Sequence, residues 1–278
     1  AAFIIAMIMY WGGLWAVCIA VAAGVAALIH SNVKFKLNKD EEKGDKLFRA
    51  VLNATSQEQT NEAVCQFVAA NESKLLEMIT NHYCSVTDGL MTDNVKILRR
   101  SFYDLQDMKA KFKNIRRKDT ICIRKLDKDT SMVKDAWFFT SFNDLEQLYY
   151  SVRRICEPVY EHVDNHFTPL PEHYIEDFIP ERNKLLTLME NVTADCEVND
   201  YSSLKAFEPE LKSLRKDFSD KRKELRKDIC DNKINMNVGY LYLNILQESE
   251  QMTILLKQMI RSSRKFQLSE PDSIEPSR

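Results

Sequence analysis

The chain has 278 residues, and its 39 basic and 41 acidic residues nearly cancel, to a formal net charge of −2. That balance gives no argument for nucleic-acid binding. With six glycines in all there is no Gly-rich phosphate cradle, and the chain carries no Walker loop, GxSxG elbow or Ser-His-Asp constellation, so no enzyme class is supported.

The charges are unevenly spread. Ala1–His30 contains no Asp, Glu, Lys or Arg, and Leu14–Ile29 is apolar throughout. Crossing a hydrocarbon core takes roughly 20 apolar residues as a helix, so residues 1–30 are expected to be a membrane segment. Either one tilted helix runs from Ala2 to His30, or Ala1–Met9 ends one span and Leu14–His30 forms the last. Tyr10, Trp11 and Trp15 suit an interfacial belt, and Gly12-Gly13 permits a tight turn. A start at Ala-Ala-Phe, with no basic n-region and no initiator Met, argues against a signal peptide and for a piece of a longer membrane protein. Lys34, Lys36, Lys39, Lys43 and Lys46 follow the apolar block, which places residues 31–278 on the cytoplasmic side. Cys65, Cys84, Cys122, Cys156, Cys196 and Cys230 are isolated, as suits a reducing compartment.

Residues 31–55 read as a juxtamembrane linker with a short helix over Asp45–Asn53. Beyond it, sparse Gly and Pro and apolar residues at helical spacing predict an all-α body. Ser56 caps a long helix ended by Gly89. Thr92 caps a second, to about Arg124, and Asp129 or Thr130 opens a third, to Phe167. After the break at Thr168-Pro-Leu-Pro171 come helices over Pro171–Asn191, Tyr201–Asp231 and Met236–Phe266, then a polar tail, 267–278, expected to be disordered.

The two sets of three helices echo each other. Phe142-Asn-Asp-Leu-Glu-Gln-Leu148 in the third helix matches Leu246-Gln-Glu-Ser-Glu-Gln-Met252 in the sixth. Tyr103-Asp-Leu-Gln-Asp-Met108 in the second matches Lys216-Asp-Phe-Ser-Asp-Lys221 in the fifth. A repeat of about 100 residues follows, over 56–168 and 169–266. This pattern resembles the PhoU family of phosphate-signalling proteins, over roughly Ser56–Phe266. A PhoU-like domain after a terminal transmembrane segment is similar to the tails of bacterial phosphate transporters. Ile155-Cys-Glu-Pro-Val-Tyr-Glu-His-Val-Asp-Asn-His-Phe-Thr-Pro-Leu170, Leu241-Tyr-Leu-Asn-Ile-Leu-Gln-Glu248 and Ser262-Ser-Arg-Lys-Phe266 resemble the PiT-type permeases more than the sodium/phosphate cotransporters.

The resemblance implies a transmembrane helix followed by two three-helix bundles, in a multi-pass protein of the bacterial inner membrane. It also implies inorganic phosphate and a coupling cation bound by upstream helices, a regulatory contact with the chain's own transporter domain, and leaves a homodimer open. The expected partners are thus the lipid bilayer and these species, not nucleic acid; an anchored signalling or scaffold protein without transport is the alternative. The PhoU acidic-x-x-x-Asp pattern puts its leading acid on Glu146 and Glu250, but its Asp falls on Tyr150 and Ile254. A reduced divalent-metal site would draw on Asp104, Asp107, Asp144, Glu146, Asp217, Asp220, Glu248 and Glu250, with ordinary salt-bridged acids as the alternative. His162 and His166 have two-ligand spacing on a helix. The run Lys109–Lys118 is the most basic stretch, readable as a solvated face or as a surface for anionic lipid.

Overall fold

Helix caps and apolar spacing decide the elements. The computed structural model describes residues 43–268, and every regular element among them is helical. Residues 43–53 form α1, where the short helix was expected. Then come α2 (Gln57–Met91), α3 (Val95–Ile123), α4 (Lys128–Asp164), α5 (Glu172–Glu197), α6 (Glu208–Cys230) and α7 (Met236–Leu268), with a 3-10 turn at Ser203–Phe207 before α6. The membrane segment, the linker to residue 42 and the tail from 269 lie outside the described residues. Among the described residues, no helix is long and apolar enough to cross a membrane.

Ser56 caps α2 as expected, its Oγ accepting from the Gln59 amide at 3.2 Å. Other ends differ from expectation. Gly89 lies inside α2, and Thr92 is the C-cap of that helix rather than the N-cap of the next. Asn94 caps α3, its Oδ1 accepting from the amides of Lys96 and Ile97. Asp127, not Asp129 or Thr130, caps α4 by accepting from the Thr130 amide at 3.0 Å. α4 stops at Asp164, short of Phe167, while α5 continues past Asn191 to Glu197 and α6 starts only at Glu208.

One reason covers several of these shifts. Asp93, His166, Asn199 and Asn232 adopt left-handed backbone conformations, with φ of 49°, 53°, 59° and 57°. In each case the amide of the next residue donates to a carbonyl five residues back: Asn94 to Gly89, Phe167 to His162, Asp200 to Asp195, Lys233 to Asp228. This is the Schellman closure, which usually uses glycine. Here non-glycine residues close four helices, so glycine does not mark their ends.

The helices from Gln57 onward belong to one compact unit, which begins at Ala50. Within it α4 packs most extensively on α7, α7 also on α6, and α2 on α3, α4 and α5. The two expected sets therefore interlock: α5 leans chiefly on α2 of the first set, and only lightly on α6 and α7. Apolar stripes fill the interior, including Leu75, Leu76 and Ile79 of α2, Leu105 and Phe112 of α3, Leu145 and Val152 of α4, and Leu256 and Ile260 of α7. Pro158 lies inside α4, where it cannot donate to the carbonyl of Arg154. Asn244 of α7 takes that place, its Nδ2 donating to the Arg154 oxygen at 3.0 Å.

Gly89 is needed for proximity rather than for its backbone angle. A Cβ there would lie 2.6 Å from Leu98 Cγ, and Leu98 is itself fully buried. Gly89→Ala is expected to destabilise the fold by ~1–3 kcal/mol through overpacking. Gly44→Ala, with nothing within 4 Å of the new atom, should not. Urea unfolding of both variants checks this.

Candidate functional site

The acids expected to hold a metal are mostly engaged with bases. Asp104 pairs with Arg100 at 3.6 Å on its own helix, Asp217 with Lys184 at 3.9 Å, and Asp220 with Lys223 at 2.8 Å. Glu248 of α7 pairs with Arg154 of α4 at 2.8 Å. Glu250 is held by Arg222, and by Arg215 at 3.7 Å. Asp107 is exposed and Glu146 half-buried. Among the described residues, no three His, Cys, Asp or Glu side chains are grouped as a metal would require. Tyr150 and Ile254, where the pattern calls for Asp, are half-buried.

The histidine spacing is broken by the helix end. His162 is buried within α4 and its Nε2 is 2.9 Å from the Thr168 carbonyl oxygen, so it fastens the chain as it leaves the helix. His166 lies beyond α4 in the left-handed region. The two rings therefore do not share a helical face.

Asp144 is the exception among the acids. It is buried, its Oδ2 has no hydrogen-bond partner, and burial pushes its carboxyl up to about 6. A folded-state value raised above the ordinary 3.8 means that the folded protein binds the proton more tightly. Its contribution is therefore most favourable below about pH 4 and is lost as pH rises towards 6.

The most developed polar site lies elsewhere, around Glu72 of α2. Glu72 is 3% exposed. Its Oε1 accepts from Ser141 Oγ of α4 at 2.9 Å and from Ser263 Oγ of α7 at 2.8 Å, and its Oε2 accepts from the Tyr201 hydroxyl at 3.0 Å. Burial pushes the Glu72 carboxyl up, and the three hydroxyls oppose that shift. Asp119 of α3 is 1% exposed; Asn71 Nδ2 donates to its Oδ1 at 2.6 Å, and its Oδ2 has no hydrogen-bond partner. Burial raises the Asp119 carboxyl well above its ordinary range, and the Glu72 charge adds to the effect. Two acids thus share a dry region where proton uptake relieves repulsion. This arrangement favours proton binding and ties helices together; it offers no nucleophile–base pair.

An accessible groove runs between α5 and α6, where the two helices pack lightly. One cavity of about 340 Å³ is lined by His173, Tyr174, Asp177, Lys227, Asp228 and Tyr242, among others, and a second of about 520 Å³ by Pro180, Thr187, Leu188 and Leu214, among others. Ion pairs Glu181–Lys221 at 3.4 Å and Lys184–Asp217 cross the groove. Sequence reading missed the groove because it depends on how far two helices stand apart. Glu72 and Asp119 had a visible signal: each is a charge in a core register, between Val68 and Leu76 and between Phe112 and Ile123.

Against this geometry, no family model, curated protein or solved structure matches the chain.

Asp144→Asn should be more stable than the wild type above pH 6 by ~1–3 kcal/mol and close to it near pH 4, in urea titrations at both pH values. Glu72→Ala removes the acceptor shared by three buried hydroxyls, of which Ser141 keeps a bond to the Phe138 carbonyl, and is expected to cost ~2–5 kcal/mol. Glu72→Gln, which still accepts at one oxygen, should cost less, and thermal unfolding of the pair checks the order.

Proposed function

We propose that this chain is the C-terminal part of an integral membrane inorganic phosphate transporter, and that its helical body is a PhoU-like cytoplasmic regulator of flux. The observation that carries the reading is the joining of an uncharged apolar stretch, Ala1–His30, to an all-helical body with matching acidic strings in its third and sixth long helices. Phosphate and its coupling cation would be handled by membrane helices upstream of this chain. The body would act by repacking or docking, and a coupling of ~1–3 kcal/mol changes an equilibrium several-fold. The light contact between α5 and α6 makes that pair the natural place for such a change, since loosely packed elements open at least cost. PiT-type permeases are the preferred relatives within this reading.

A second reading is a membrane-anchored helical signalling or scaffold protein without transport. The pairing of Asp104, Asp217, Asp220, Glu248 and Glu250 with bases favours it to the extent that a PhoU-type regulator works through metal.

Deletion of residues 56–278 from the complete protein separates the two. The regulatory reading expects phosphate uptake to persist with an altered rate or an altered response to external phosphate. Uptake and response identical to the wild type would remove the regulatory role, and a complete protein with no uptake activity at all would leave the scaffold.

A further inference from the structure

The C-terminal half of α3 carries an acid-free run of bases. Lys109, Lys111, Lys113, Arg116, Arg117 and Lys118 follow one another with no acid between them. The next acid, Asp119, is turned inward and buried. Lys109, Lys111, Lys113, Arg116 and Arg117 are all exposed, and none of the five makes an ion pair among the described residues. Some exposed bases elsewhere pair, as Arg99 does with Asp164, Arg153 with Glu157, Lys233 with Asp228 and Arg261 with Glu208. Others, such as Lys96, Lys212 and Arg226, do not pair among the described residues, but these are not gathered in an acid-free run of six. Of the neighbouring groups, Asp135 of α4 lies near Arg124, beyond the run, and His82 of α2 lies near Lys111. The nearest acids on α3 itself, Asp104 and Asp107, precede the run.

Apolar side chains border this stripe. Ile121, one turn beyond Arg117, is 42% exposed, and Phe139 of α4 is 39% exposed. The Arg116 guanidinium lies 5.3 Å from the centre of the Phe139 ring, so cation and aromatic side chain are presented together.

We propose that this face of α3, with Ile121 and Phe139, docks on an anionic phospholipid surface. Basic residues near such a surface are attracted individually and additively, and bordering Ile and Phe side chains gain by entering the boundary between headgroups and acyl chains. Nucleic acid would reward the lysines but not an exposed isoleucine. The same chain contains the uncharged apolar stretch Leu14–Ile29, which makes a bilayer the polyanion nearest to hand. The proposal needs no transport activity and stands apart from the phosphate reading.

The test uses the full chain, incorporated into vesicles of phosphatidylcholine alone or of phosphatidylcholine rich in phosphatidylserine, and the acetylation rates of its native lysines by mass spectrometry. Lys109, Lys111 and Lys113 should react several-fold more slowly in the anionic vesicles and recover at high salt, as screening shortens the interaction. Lys223 of α6, exposed on a different helix, should react alike in both. A Lys113→Glu, Arg117→Glu double variant should keep its far-UV circular dichroism and melting temperature yet lose the difference at Lys109 and Lys111. Equal rates in the two vesicles would overturn the proposal, as would slowing that includes Lys223. Protection in neutral vesicles by an added polynucleotide, without protection by anionic lipid, would overturn it in favour of nucleic acid.

Discussion

The Glu72 carboxylate is the interaction on which the body depends. It gathers donors from α4, α7 and the segment between α5 and α6, three parts of the chain that are distant in sequence from one another and from α2. A buried carboxylate is costly to desolvate, and each hydroxyl that reaches it recovers part of that cost. Only with all three partners in place is the recovery greatest, so the network favours one arrangement of the helices over slightly shifted ones. Apolar packing alone is less discriminating, because neighbouring registers bury similar areas. The buried Asp119 of α3 feels the Glu72 charge and accepts from Asn71, the neighbour of Glu72 on α2, which ties the remaining helix of the first set to the same centre.

Outside this centre, ion pairs do a different job. Arg154–Glu248 links α4 to α7, Arg222–Glu250 and Arg261–Glu208 link α6 to α7, and Glu181–Lys221 spans the α5–α6 groove. Such half-exposed pairs add modest stability each. They do fix which helix faces which. Glu248 and Glu250 of the α7 acidic string, and Asp217 of α6, thus serve helix pairing, with bases as partners where a metal was expected, whereas Asp144 of the α4 string keeps an oxygen without a hydrogen-bond partner. Lys109, Lys111, Lys113, Arg116 and Arg117 of α3 differ in being exposed and making no ion pair among the described residues.

Much of the fold was legible from residue pattern alone. Long stretches with few glycines and apolar residues at helical spacing gave six long helices and their order, and Ser56 marked the start of α2 by its capping oxygen. Helix ends were less legible, for a physical reason. Left-handed closure by Asp93, His166, Asn199 and Asn232 follows no glycine signal, while Gly89 is required by the approach of Leu98. The candidate site was legible in part. A charge at a core position, as at Glu72, flags itself; its partners Ser141, Tyr201 and Ser263 do not, since serine and tyrosine are unremarkable on any helix. The acids Glu248 and Glu250 were visible, but their engagement by Arg154 and Arg222 depends on which helices become neighbours.

The bond from Asn244 to the carbonyl left open by Pro158 has a mechanical consequence. A side-chain donor on one helix that satisfies a main-chain acceptor on another pins their axial register. A one-turn slide of about 5.4 Å would strand that carbonyl in the most extensive interface of the body. Piston-like motion of α7 along α4 is thereby opposed, while bending at the proline, where the ladder is already interrupted, is comparatively easy. A signal passing through this pair would travel as a change of angle, not of height.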